Sequence, residues 1–139
     1  MQAERIKIDD GTKTYEIVDQ DNKVRGTFKF NPSDTNILRR YDEVVEELEK
    51  VAEEMNGTDK TTETQKELEK KVVALMDYLV KGDMGGTFFK INGPLTPMDN
   101  GDLFVVNVLE SIGAIIEKET KKRIKKVDSK ASKYLAAYK

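Results

Sequence analysis

Residues 31–57 read NPSDTNILRRYDEVVEELEKVAEEMNG, and this stretch decides how the rest of the chain must fold. Pro32 ends whatever strand precedes it, and Ser33 or Asp34 can cap the first turn of a helix. The helix stops at the Asn-Gly pair at positions 56 and 57. Between these signals, apolar residues recur in steps of three and four, which predicts an amphipathic helix over 33–57 with one face to bury. These apolar residues are Ile37, Leu38, Tyr41, Val44, Val45, Leu48, Val51, Ala52 and Met55.

The first 31 residues supply an apolar surface that this helix can cover. Their apolar side chains are spaced by two, as in half-buried strands. Asp10 and Gly11 form a short hairpin signal, and DQDN at 19–22 supplies a second turn. We therefore expect a three-stranded antiparallel meander over 1–31. The residues that alternate are Ile6, Ile8, Tyr15, Ile17, Val24, Phe28 and Phe30.

The remainder of the chain is predicted to be helical on either side of one long loop. The capping-box pattern TETQ opens a helix over 62–82, and glycine and proline concentrate in a loop over 83–101. A third helix over 102–139 would be about 55 Å long, which exceeds the diameter of a compact domain of this size. It must either break near Asp128 or project as a C-terminal arm. The expected fold is a single α+β domain over 1–139, with the meander covered by three main helices.

Composition excludes most catalytic chemistry. The chain has 139 residues and contains neither histidine nor cysteine, so catalytic triads, thiol nucleophiles and zinc sites are not expected. Most of the 26 acidic residues fall in helical runs, where they favour a solvated face over a catalytic pair. We expect a non-enzymatic protein that needs no metal or cofactor. With no apolar run long enough for a membrane span and no leader-like segment at the N-terminus, we expect it in the cytoplasm.

Charge is divided sharply along the chain. Residues 36–58 carry seven acids and three bases, whereas residues 118–139 carry nine bases and two acids. The basic segment also has an apolar seam in steps of three and four, which is typical of a helix that packs against another helix. Parallel pairing of this C-terminal segment, here called the tail, with that of a second copy would place lysine opposite lysine. We therefore expect an acidic partner, and the first helix of the same or a neighbouring chain is a candidate. The residues predicted to carry this contact are Ile124, Val127, Ala131, Tyr134 and Tyr138 in the seam, Lys121 and Lys125 beside it, and Glu43, Glu47 and Glu54 on the acidic helix.

Two other interpretations of the tail stay open. It could fold back and complete the core of its own chain, leaving its lysines in solvent. It could also bind nucleic acid, which would make the protein a nucleic-acid-binding accessory protein, although the segment lacks aromatic interleaving, arginine enrichment and a recognisable motif.

The order of these segments along the chain resembles that of a known protein family. A short N-terminal strand region, followed by NPSDTNILRRYDEVVEELEKV and later GDLFVVNVLESIGAIIEKETKKRIKKV, resembles the tail-assembly chaperones of long-tailed phages and prophages of Gram-positive bacteria. The resemblance implies a cytoplasmic, mostly helical, oligomer-forming protein. It implies as partners the tape-measure protein and the tail-tube subunits, which such chaperones keep soluble during virion morphogenesis. No individual binding residue is carried over from the family.

Overall fold

The computed structural model describes residues 2–57 and 62–135, with side chains described for 2–55 and 62–122. These residues form a mixed α+β fold, which confirms the expected class. In chain order, the elements are strands β1 (Lys13–Val18) and β2 (Val24–Phe30) and helices α1 (Ile37–Gly57), α2 (Thr62–Val80), α3 (Phe88–Ile91) and α4 (Phe104–Leu135).

The two strands form an antiparallel hairpin closed by the turn predicted at 19–22. The pairing runs from Lys13 opposite Phe30 to Val18 opposite Val24, with an irregularity between Ile17 and Val18. The Asp19 carboxylate accepts the backbone N–H groups of residues 21 and 23, which stabilises the turn. The face of the hairpin that carries Phe28 and Phe30 is buried in the core.

The third strand of the expected meander is not present in the described chain, and that prediction was wrong. Ile6 and Ile8 are 88% and 76% exposed, and no residue before Lys13 pairs with the sheet. The reason is that the residues around the Asp-Gly pair form hydrogen bonds between side chains and nearby backbone groups and do not close a hairpin. The carboxylates of Asp9 and Asp10 accept the N–H groups of residues 11 and 12, and the Asn31 side chain donates to the Asp10 carbonyl. These local hydrogen bonds therefore replace the backbone pairing that a third strand would have formed with the sheet.

Helix α1 begins at Ile37, four residues later than the start predicted at residue 33. Asp34 lies ahead of the helix, where its carboxylate accepts the N–H of Asn36 and its carbonyl accepts the N–H of Ile37. The polar residues that were expected to cap the helix thus form a turn that leads into it. The buried face of α1 then packs in one core with α2, α4 and the hairpin. The most deeply buried members include Ile37, Val44, Val51, Val72, Met76, Leu79, Met84, Ile112 and Ile116.

The segment predicted as a loop over 83–101 contains helix α3 and a tightly bonded turn before α4. The carbonyl groups of Pro94 and Thr96 accept the N–H groups of Val105 and Phe104. These bonds satisfy donors that the first turn of a helix would otherwise leave unpaired. Leu95 is buried, so this segment contributes to the core as well as capping α4.

Helix α4 is continuous from Phe104 to Leu135, about 48 Å at 1.5 Å per residue. It passes Asp128 without interruption, so the break considered there does not occur. A salt bridge of 3.0 Å between Lys13 and Glu119 joins the hairpin to the middle of α4. This bond raises the pKa of Lys13 and lowers that of Glu119.

Candidate helix-binding surface

The contact between α1 and α4 is centred on Tyr41 and Gly113. The Tyr41 hydroxyl donates to the Leu109 carbonyl at 3.5 Å, and burial raises the pKa of this phenol. A Cβ atom at Gly113 would lie 2.7 Å from the Tyr41 hydroxyl oxygen and 3.1 Å from Cζ. Glycine in this helix therefore permits the tyrosine ring to lie against the backbone of α4.

A groove of about 540 Å³ opens beside this contact, between α1 and α4. Leu38, which is 52% exposed, and Ala114 present apolar surface on its two sides, with buried Ile116 between them. Glu110 and Glu117 add negative charge to the α4 side. An exposed leucine in a groove between two helices provides a place where an apolar side chain of another helix can insert.

The face of α1 that carries Leu38 continues as a row of exposed carboxylates, here called the acidic stripe: Asp42, Glu46, Glu49 and Glu53. At 100° per residue, Leu38 and the four acids fall within an arc of about 80°. No member of the stripe forms an ion pair with another residue of the described chain. The groove and the acidic stripe therefore form one continuous surface, apolar at one end and negatively charged along the rest.

The three acids predicted to bind a partner lie elsewhere on α1. Glu43 accepts a hydrogen bond from the Tyr78 hydroxyl of α2 and pairs with Arg39, and these contacts lower its pKa. Glu54 pairs with Lys71 of α2 at 3.6 Å. Glu47 pairs with Lys50 of its own helix at 3.1 Å. A role of Glu43, Glu47 and Glu54 in binding stays a prediction, but each already has an intramolecular partner.

The sequence pattern did not distinguish these acids from the acidic stripe. Both sets lie outside the apolar face of α1, and only the position of α2 separates them. The signal that could have found the stripe is the 4-3-4 spacing of its members, which places them next to Leu38 on the helix surface.

The basic residues predicted for the tail are described only in part. Lys121 lines the groove and pairs with Glu117 at 2.9 Å, one turn earlier on α4, and not with an acid of α1. Ile124, Lys125, Val127, Ala131 and Tyr134 belong to the helical backbone of α4, but their side chains lie outside the described residues, as does all of Tyr138. Their role as a pairing seam stays a prediction.

Other classes of site were sought within the same described residues. No group of three or more acidic side chains is placed to hold a metal ion there. None of the helices described is both long enough and apolar enough to cross a membrane.

No protein-family model matches this chain, and no curated protein and no solved structure is significantly similar to it. The geometry of the surface and the chemistry of its residues therefore carry the functional argument.

Proposed function

We propose that this protein is a non-enzymatic assembly factor that self-associates and binds basic amphipathic helices through the groove and the acidic stripe. The observation that carries the proposal is the continuity of the two features along α1. Leu38 gives an apolar anchor point, and four carboxylates that have no ion pair among the described residues extend from it along the helix. A helix with an apolar seam and flanking lysines complements both features.

The basic C-terminal segment of a second copy is the occupant best matched to this surface. Residues 118–139 carry a net charge of +7, and their apolar residues are spaced for helix packing. Residues 123–135 of the same chain cannot fold back into the groove. Because α4 is one helix through Leu135, its residues beyond 122 extend along the axis past the groove that residues 110–121 line. The contact therefore joins two different surfaces of two copies, and such contacts form rings or open helical assemblies.

The family resemblance supplies the wider setting of the proposal. A chaperone of phage tail assembly would use the same surface for helical clients, and the tape-measure protein and the tail-tube subunits are the clients that the resemblance implies. Self-association and client binding would then compete for one surface. Such a protein would act in the cytoplasm of the host cell.

Sedimentation equilibrium of the full chain at low and high salt tests self-association. We expect oligomers in 50 mM NaCl that weaken at 500 mM, since opposite charges contribute to the contact. Conversion of the four acids of the stripe to Asn or Gln should weaken association at least tenfold, about 1.4 kcal/mol. The matched control removes four exposed carboxylates elsewhere, at Glu4, Glu16, Asp21 and Asp99, and should leave association unchanged.

A strictly monomeric protein at high concentration in low salt would contradict the self-association proposed here. Client binding is tested separately, by co-expression with a tape-measure protein and co-purification from the wild type and the stripe variant. Recovery with the wild type alone supports the chaperone function, and recovery with neither counts against it.

The alternative function, nucleic-acid binding by the basic helix, is distinguished by truncation after Lys122. This truncation keeps the Glu119–Lys13 salt bridge and removes six of the nine bases of residues 118–139, together with the apolar residues of the predicted seam. DNA or RNA binding with a steep salt dependence that the truncation abolishes would support the alternative. Binding that is equally weak in both proteins would exclude it.

A further inference from the structure

A second cavity, of about 360 Å³, lies on another part of the molecule, where the end of β2, the start of α1 and the end of α2 meet. Its wall includes Arg40 from α1, Lys29 from β2 and Lys81, which directly follows α2. Three cationic side chains from three separate parts of the chain thus line one cavity. We infer that this cavity binds a small oxyanion of the phosphate class, a property independent of the function proposed above.

Arg40 is the buried cation in the lining of the cavity. Its side chain is only 3% exposed, although it carries a full positive charge. Its Nε donates to the Leu79 carbonyl at 2.9 Å, and its Nη2 donates to the Asp34 carboxylate at 3.0 Å. Its Nη1 is buried and has no acceptor among the described residues. Buried polar groups in folded proteins nearly always have a hydrogen-bond partner, so this guanidinium in the wall of the cavity retains one unsatisfied donor.

The two lysines at the cavity differ from Arg40 in being exposed. Neither Lys29 nor Lys81 forms a salt bridge within the part of the chain that the structure describes. Lys81 has a φ of 50°, in the left-handed region that side-chain-bearing residues seldom adopt. Lys81 directly follows the last residue of α2 and lines the cavity. Two flexible ammonium groups and one fixed guanidinium in the lining of the same cavity are donors suited to a phosphate-class anion.

Two carboxylates, Asp10 and Asp34, also line the cavity and must be weighed against an anion. Each already accepts a backbone hydrogen bond, from Thr12 and Asn36 respectively, and these bonds lower the pKa of both groups. Asp34 additionally pairs with Arg40. Three cations against two ionised carboxylates leave a net charge of +1 around the cavity, and the two lysines carry it on the side open to solvent. The local charge therefore still favours one bound anion.

Isothermal titration of the full chain with sodium phosphate, at ionic strength held constant with sodium chloride, tests the inference. We expect saturable binding of one phosphate per chain and a rise in Tm, with sulfate acting similarly and acetate binding at least tenfold more weakly. The guanidinium Nε–H signal of Arg40 should shift in NMR spectra along the same saturation curve. That signal provides a readout without replacing a core residue.

The matched variants separate a site from general charge attraction. Replacing Lys29 with Gln and Lys81 with Asn, which tolerates a left-handed backbone, should reduce phosphate affinity at least tenfold while leaving Tm in chloride unchanged. The control pair Lys7→Gln and Lys23→Gln removes the same charge from exposed positions outside the cavity and should not reduce affinity.

Three results would overturn the inference. Absence of saturable phosphate binding would mean that Nη1 is served by an ordered water only. An equal loss of phosphate affinity in both pairs of variants would mean that phosphate is attracted by the general positive charge of the lysines and not by a specific site. Equal affinity for acetate and phosphate would reject the phosphate class.

Discussion

The ring of Tyr41 lies against Gly113, so close that a Cβ atom at the glycine would be 2.7 Å from the tyrosine hydroxyl oxygen. This contact sets the distance between α1 and α4 and so forms the wall of the groove. Gly113→Ala should destabilise the protein by about 1–3 kcal/mol, because the new methyl group must displace the ring. Without that contact, alanine would be the better helix former by about 1 kcal/mol. Urea unfolding measures the free-energy change.

The double variant Gly113→Ala with Tyr41→Leu provides the control for this prediction. Since leucine has neither the hydroxyl nor the ring carbons that Cβ would meet, the cost of alanine at position 113 should shrink in that background. An alanine that costs the same in both backgrounds would show that the clash is not the cause.

Arg40 should contribute far more to stability than its neighbour Arg39. Replacing Arg40 with Ala removes its bonds to the Leu79 carbonyl and to Asp34 and leaves a cavity in the core, and we expect a loss of about 3–5 kcal/mol. Arg39 lies on the surface in an i,i+4 pair with Glu43, so its replacement with Ala should cost under about 1 kcal/mol. Chemical denaturation of both variants compares the two losses directly, and similar losses would contradict the assigned burial of Arg40.

Stability should fall in acid partly through Asp34. Its pKa is lowered from 3.8 by the hydrogen bond from Asn36, with a further contribution from Arg40. A carboxylate whose folded pKa is depressed stabilises the fold above its unfolded pKa, and that stabilisation is lost as pH falls through the folded value. Asp34→Asn keeps an oxygen for the Asn36 N–H but removes the charge, so it should flatten the decline of unfolding free energy below about pH 4. Asp99→Asn, at an exposed position, should leave the decline as in the wild type.

The N-terminal segment should contribute little to the stability of the fold. Ile6 and Ile8 are exposed and unpaired with the sheet, so changing both to Ser should alter unfolding free energy by no more than about 0.5 kcal/mol. Phe28→Ala, in the buried face of the hairpin, should cost about 3–5 kcal/mol. A large loss of unfolding free energy from the isoleucine pair would contradict the exposure of these two side chains.

The tail allows a direct comparison of packing with charge. Changing Ile124 and Val127 to Ser should weaken self-association more than changing Lys121 and Lys125 to Gln, because the proposed contact is an apolar helix seam guided by charge. Loss of the exposed Lys121–Glu117 pair should itself cost only about 0.3–0.5 kcal/mol of stability. The reverse ranking in sedimentation equilibrium would favour a purely electrostatic arm.

Local signals along the chain predicted most of the secondary structure. The turn at 19–22, the presence of α1 and α2 and the long last helix all follow from caps, turn residues and apolar spacing. These signals succeed because they depend on residues only a few positions apart. The Asp-Gly pair at 10 and 11 misled the prediction because the same residues can close a hairpin or bond to their own backbone.

The sequence predicted the acidic helix of the candidate surface but not which of its side chains are free to bind a partner, as α1 illustrates. The sequence identifies an acidic helix that carries three bases, and only the structure shows that the side chain of one of them, Arg40, is buried. The predicted partner-binding acids include Glu43 and leave out Glu46, whereas in the structure Glu43 is bonded to Tyr78 of α2 and Glu46 lies in the acidic stripe. Which flank of a helix another helix covers cannot be read from the helix itself.

The sequence by itself thus determined the three long helices, the hairpin turn, the opposed charges of the first and last helices and the absence of histidine and cysteine. Tertiary structure alone decided that the N-terminal segment leaves the sheet, that Tyr41 meets Gly113 and that Arg40 lies buried beside two lysines. The physical reason is the range of the interactions. Periodicity and capping act within one or two helical turns, whereas burial depends on contacts such as Arg40 with Leu79, which are 39 residues apart.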